Sequence, residues 1–200
     1  MSGADAGPLQ RTVVLFEGRS DRLAFEVLAR RRASNLAGLD LVVMDGITNL
    51  RTRMMALRGP GVRVLGLFDA AEGAYVARVL GDLGMVDARA SDLTAIGFFG
   101  CERDLEEEVI RAAGAELVLE TLAARGELER FRVFQRQPAQ RVRSVAEQLH
   151  RFAGTTAGRK SRFAADIIEV LPMERMPAPL VGLLEAAAGG AQNGDPSRIM

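Results

Sequence analysis

One stretch near the start of the chain constrains its fold more than any other. Val13, Val14, Leu15 and Phe16 follow Thr12 without a polar break, and the run ends in Glu17, Gly18 and, three residues on, Asp21. Three of the four apolar residues are β-branched or aromatic, so the run reads as a short strand buried on both faces, as in a parallel sheet. Glycine lets the chain turn at the strand's carboxyl end, and Asp21 is placed to cap a helix that follows at once. In open α/β sheets, ligands bind beyond the carboxyl ends of the strands. Glu17 and Asp21 therefore fall at the expected functional edge. Capping of a surface turn accounts for Asp21 equally well, but not for an acid directly after a buried strand.

The pattern then repeats. Apolar runs predict strands over 12–16, 39–44, 62–68 and 94–99, with helices over 21–32, 50–57 and 73–83 between them. Thr48-Asn49 offers an N-cap for the second helix, Gly59, Pro60 and Gly61 are a firm break, and 84–91 reads as a loop. Strand–helix alternation with short connections argues for a Rossmann-like parallel α/β sheet flanked by helices. After Gly100 the strand signal fades. Helices are expected over 105–113 and 116–124, separated by Gly114, then over 144–152, 162–170 and 180–187, with 131–134 as a short strand or docking segment. The expected organisation is a flexible 1–10, one domain over 11–171 (α/β core 11–113, helical part 114–171), a C-terminal helix within 172–188 and a disordered tail over 189–200. The helical half reads as an extension that shares the core.

Composition narrows the chemistry. The 26 Lys and Arg residues balance 26 Asp and Glu residues over 200 positions, so no global field draws the chain to nucleic acid or to a membrane. Cys101 is the single cysteine and His150 the single histidine, which excludes an intrachain disulfide, a cysteine-rich zinc site and a multi-histidine metal site. Cys101, Met54 and Met55 read as core, and His150 as a surface residue. No apolar run reaches membrane-spanning length and 1–7 lacks the apolar centre of a signal peptide, so a cytoplasmic protein is expected. Every basic residue but Lys160 is arginine, which singles out that amine.

Three acidic groups fall at strand ends: Glu17 and Asp21 after the first, Asp69 after the third, and Asp104 with Glu106, Glu107 and Glu108 after the fourth. Clustered carboxylates repel unless a cation sits among them, and hard oxygen ligands suit Mg²⁺ or Mn²⁺. The bland alternatives are a loop aspartate at 69 and an acidic first helical turn at 104–108, with Asp104 as its N-cap.

Together, Glu17-Gly-x-Ser-Asp21 after a first strand, Asp69 after a third, Asp104-x-Glu106 after a fourth and the late Lys160 resemble the TOPRIM fold. The similarity is greatest to the TOPRIM domains of overcoming-lysogeny-defect (OLD) family nucleases and to small stand-alone TOPRIM nucleotidyl transferase/hydrolase proteins, and it spans residues 11–171. The resemblance implies metal-dependent cleavage or transfer at a nucleic-acid phosphodiester. It implies that Glu17 is a metal ligand or general base, that Asp21 and Asp69 are metal ligands, that Asp104 and Glu106 support a second ion, and that Lys160 contacts the phosphate being cleaved. There is one departure. The family's Asp-x-Asp reads Asp69-Ala70-Ala71 here, and Glu72 beside it begins a helix and is expected to face elsewhere. The alternative is thus a degenerate TOPRIM module that binds nucleic acid or a nucleotide without cutting. A receiver-like phosphoacceptor fits less well, because receivers keep their acid pair adjacent.

Between Arg130 and Arg162 stand nine Lys or Arg residues and one acid, Glu147, with Phe131, Phe134 and Phe152 interleaved. This local field is the expected nucleic-acid contact, through Arg136, Arg141, Arg143 and Arg159, with DNA favoured over RNA. A solvated face or a dock for an acidic partner is the other reading. Nothing in the chain resembles the ATPase domain that OLD nucleases carry, so a separate ATPase or a homo-oligomer is the further expected partner.

Overall fold

The computed structural model of the protein describes residues 11–87 and 92–191; the side chains of 190 and 191 are not part of that description. The expected flexible 1–10, positions 88–91 of the expected loop, and 192–200 of the expected tail lie outside the described residues.

Four parallel strands form the sheet: β1 (Arg11–Phe16), β2 (Leu39–Val43), β3 (Val62–Asp69) and β4 (Phe98–Cys101), in the order β2-β1-β3-β4. Val13 lies opposite Asp40 on one side and Val64 on the other, and Gly66 lies opposite Phe98. The chain steps from β1 outward to β2, returns across β1 to β3, and goes on to β4. The β1/β3 boundary is therefore the switch point, where the loops after two neighbouring strands diverge and leave a crevice.

Period-two alternation divides β1 between two cores. Val13 and Leu15 face one side, with Met44, Ile47, Leu50, Val76, Leu80 and Phe98. That face is covered by α2 (Leu50–Ala56) and α3 (Gly73–Asp82). Val14 and Phe16 face the other, larger core, with Phe25, Leu105, Phe131, Leu149, Ile167 and Leu183. Here α1 (Arg19–Arg31), α4 (Leu105–Ala124), α5 (Leu128–Gln135), α7 (Val145–Ala153), α8 (Ala157–Val170) and α9 (Ala178–Ala191) assemble, and the single-turn α6 (Pro138–Arg141) stands in the chain between α5 and α7. Residues from both halves of the chain share this core. Helix α8 lies along α1 with the same polarity: Arg30, near the end of α1, pairs with Glu169 near the end of α8, and Arg31 donates to the carbonyls of Ile168 and Leu171. Both helices therefore begin at the same edge of the molecule.

Some local expectations change. The fourth strand starts at Phe98, because Asp92 accepts hydrogen bonds from the Thr94 amide and hydroxyl and winds Thr94–Ile96 into a 3-10 turn. Gly97, at φ 85°, then redirects the chain into the strand. Residues 131–134 belong to helix α5, since Phe131 and Phe134 lie on one helical face, their rings 6.4 Å apart, with Phe131 fully buried. Asn49 makes no side-chain cap; its amide donates instead to the carbonyls of Met44 and Asp45. Met54 is buried but Met55 is 51% exposed, as neighbours on a helix cannot share a face. Helix α9 continues to Ala191, past the expected start of the tail. Gly114 does break helical geometry, at φ 74° and ψ 160° within α4.

Candidate active site

Each acid reaches the sheet's carboxyl edge for a local reason. Glu17 is the first residue beyond β1, and its carbonyl accepts the Gly46 amide, which ties the loop after β1 to the loop after β2. Asp21 stands in the first turn of α1, where one carboxylate oxygen accepts the Gly18 amide at 2.9 Å and the other accepts the Ser20 hydroxyl at 3.3 Å. The capping expectation is met in this form: Gly18 is the N-cap, and Asp21 reaches back to it. Asp69 ends β3 in extended conformation. Asp104 is the N-cap of α4 and accepts the Glu107 amide at 2.8 Å, and Glu106 follows in the first turn. Lys160 comes from the first turn of α8 and is exposed.

These six side chains line one pocket of about 270 Å³, together with Gly18, Ser20, His150, Ala153 and Gly154. The pocket lies at the β1/β3 switch point. Helices α1, α4 and α8 all begin at its wall, and the positive ends of their dipoles partly offset the carboxylate charge gathered there. A larger cleft of about 420 Å³ lies between α4 and α8, but it is mainly apolar. Its arginines are engaged in ion pairs, Arg125 with Asp166 at 2.7 Å and Arg159 with Glu127.

The carboxylates disturb one another. Asp69 is pushed up to about 7, first by burial and then by the charges of Asp21, Glu17, Asp104 and Glu106. Glu106 is also raised to about 7, by burial and then by Asp21 and Asp104, against an opposing pull from Lys160. Burial, Asp21 and Glu72 raise Glu17, and burial raises Asp21 against its Gly18 and Ser20 hydrogen bonds. Glu72, expected to face away, is thus close enough to act on Glu17.

Among the described residues, three buried side-chain atoms lack a hydrogen-bond partner: Glu17 Oε2, Glu106 Oε1 and Gln140 Oε1. Two of these belong to the pocket. An unpaired carboxylate oxygen away from water is unfavourable by roughly 1–3 kcal/mol or more, and a cation is a partner that would satisfy such an oxygen. Among the described residues, no group of three or more His, Cys, Asp or Glu side chains is placed so that it could hold a metal ion by itself. Mg²⁺ suits such an open arrangement, because it keeps several waters and takes few protein carboxylates. The donors are all hard carboxylate oxygens, whose chemistry suits a divalent ion that takes one or two of them and would draw its other ligands from elsewhere.

His150 is the residue that sequence reasoning missed. Its Nε2 lies 2.7 and 3.0 Å from the two carboxylate oxygens of Asp104, in the last turn of α7, and it lines the pocket. Its one sequence signal was its spacing ten residues before Lys160, which carries no meaning until the α7–α8 turn folds both toward the acids.

The basic segment is less uniform than its composition. Arg136 and Arg141 are exposed, and Arg143 is half-buried. Arg159, expected to contact nucleic acid, has a side chain only 9% exposed. Its Nε donates to Glu127 at 2.8 Å, and its guanidinium stacks 3.8 Å from the Phe152 ring centre. Phe131, Phe134 and Phe152 pack against one another, with centroids 5.2 to 6.4 Å apart, as part of the core. Cys101 is buried, and burial pushes its thiol up.

The strand order and the acid-lined switch point define the class: an open parallel α/β domain with a carboxylate site at its carboxyl edge. More particularly, the chain has the fold of the C-terminal, TOPRIM-containing region of OLD proteins. The C-terminal region of the Xanthomonas campestris pv. campestris OLD protein superposes with a TM-score of 0.64 at 23% identity, covering 94% of this chain and 100% of that one. The corresponding region of the Burkholderia pseudomallei OLD protein gives a TM-score of 0.63 at 18% identity, over 89% of this chain and 96% of that one. No family model matches the sequence, and no curated protein is similar to it. Among the described residues no helix is long and apolar enough to cross a membrane.

Proposed function

We propose that the protein carries out Mg²⁺- or Mn²⁺-dependent cleavage or transfer at a nucleic-acid phosphodiester, with DNA as the favoured substrate. One observation carries this reading. Five carboxylates and the single lysine of the chain share one pocket at the switch point, and two of the carboxylate oxygens are buried without a partner. Glu17, Asp21 and Asp69 would hold one ion, and Asp104 and Glu106 would support a second. Bound divalent ions would supply charge stabilisation to the attacking and leaving oxygens.

The chain's own residues do the rest. Once divalent ions offset the carboxylate charge, the positive ends of α1, α4 and α8 would add to the attraction for a phosphate. Lys160, which among the described residues forms no ion pair, is available to a phosphate oxygen and offsets charge that builds there. Glu17 would either hold metal or take the proton of an attacking water.

Ala71 favours a second reading. The position where the TOPRIM pattern has a carboxylate is a methyl group in the 3-10 turn after β3, so the site can bind without cutting. The experiment that decides is cleavage of supercoiled plasmid and labelled single strands with EDTA, Mg²⁺ or Mn²⁺, using wild type, Glu17→Ala and Lys160→Ala. Metal-dependent products from wild type, absent in both variants, support the enzyme, and Ala71→Asp is then expected to raise the rate. Metal-stimulated DNA binding with no product from wild type overturns catalysis and leaves the binding module.

A further inference from the structure

We propose that His150 is a positioning residue, which holds the Asp104 carboxylate in the orientation needed for a divalent ion; this rests on the metal-dependent reading above. Asp104 has two duties. Its Oδ1 accepts the Glu107 amide and starts α4, while the carboxylate also lines the acid pocket. One amide bond to one oxygen leaves the plane of the carboxylate free to turn. His150 Nε2 lies within hydrogen-bonding reach of both oxygens, which fixes that plane. Because the acceptor is a carboxylate, Nε2 is the nitrogen that carries the proton.

The other candidate for this task is weaker. The Arg103 Nε is 3.8 Å from Asp104 Oδ2, on a side chain that is 59% exposed. The imidazole, by contrast, is held in the last turn of α7, whose Leu149, Phe152 and Ala153 are buried in the large core. A rigid helix thus presents His150 to Asp104, as outer-sphere partners of metal carboxylates are commonly presented. The same histidine also lines a second depression, with Arg103, Glu107, Arg111 and Glu147, so it forms the wall between the acid pocket and that outer surface. The Nε2 contact to both oxygens goes beyond a simple helix-to-helix tether, for which one would suffice.

The test is Mn²⁺ binding by titration calorimetry at pH 8 without nucleic acid, on wild type, His150→Ala and His150→Gln, with melting temperature measured in parallel. Loss of the outer-sphere partner is expected to weaken Mn²⁺ binding about 10- to 100-fold in His150→Ala. His150→Gln places an amide donor near the Nε2 position and is expected to recover most of that affinity. A solely structural histidine would lower the melting temperature of His150→Ala and leave the Mn²⁺ affinity of the folded protein unchanged, and that result overturns the proposal. His150→Gln binding no better than His150→Ala also overturns it. If wild type binds no Mn²⁺, the metal reading falls and takes this inference with it; if wild type binds and His150→Ala binds equally, only the inference falls.

Discussion

Replacing Asp69 by asparagine is expected to stabilise the metal-free protein at alkaline pH. Asp69 ends β3 among Asp21, Glu17, Asp104 and Glu106, and it is held at about 7 instead of 3.8. At about 1.36 kcal/mol per pH unit, this difference sets a ceiling of roughly 4 kcal/mol on the penalty of ionising Asp69 in the folded state. The side chain is only partly buried, so solvent screening brings the expected value to the order of 2 kcal/mol. The sign follows from proton binding. Below pH 3.8 both folded and unfolded chains hold the proton, and the folded state carries no penalty. As pH rises toward 7 the unfolded chain has lost its proton while the folded one keeps it, so stability falls through that window and stays low above it. Glu106, also raised to about 7, adds a penalty of the same sign. The substituted amide carries no charge to ionise. For a chain of this length about 2 kcal/mol corresponds to roughly 4–8 °C in melting temperature. Thermal melts of wild type and Asp69→Asn from pH 4 to 8 in EDTA should therefore lie close together at the acid end and separate toward the alkaline end, with the variant higher. Saturating Mg²⁺ should reverse the order, because an ion that binds only the folded wild type stabilises it by mass action. Equal melting curves at pH 8 in EDTA, or a variant that melts lower there, would refute the picture of repelling, buried carboxylates.

Two further outcomes are expected. A Cβ at Gly66 would sit 2.8 Å from the buried Phe98 ring, so Gly66→Ala should lose about 1–3 kcal/mol, read as a lower urea midpoint. Arg141→Ala should reduce the salt dependence of DNA binding by about one phosphate contact, whereas Arg159→Ala should leave that slope unchanged and instead lower stability by about 1–3 kcal/mol, since it removes the Glu127 and Phe152 contacts. Filter binding across a salt series, beside denaturant melts, separates the two.

The sequence by itself determined the strands and the ends of strands. Apolar runs rich in β-branched residues and closed by an acid, with a glycine next to it after β1 and β2, read as strands that end in a turn, and β1 to β3 stand within a residue or so of where the pattern puts them. The placement of Glu17, Asp21, Asp69, Asp104 and Glu106 at one edge followed from right-handed parallel connection, a rule of backbone chirality that local pattern is enough to invoke. What lies beyond local pattern was decided by packing. Whether Phe131 and Phe134 belong to a strand or a helix depended on the apolar face they share with Phe152, which follows later in the chain on a different helix. An arginine count cannot distinguish Arg141, exposed, from Arg159, held by Glu127 over an aromatic ring, because the partner lies 32 positions upstream in the chain. His150 and Asp104 are 46 residues apart and meet only because α7 packs on α4. Long-range pairing of this kind leaves no periodic trace in a single sequence, and tertiary structure alone turns a row of acids at strand ends into a pocket with a lysine and a histidine in its walls.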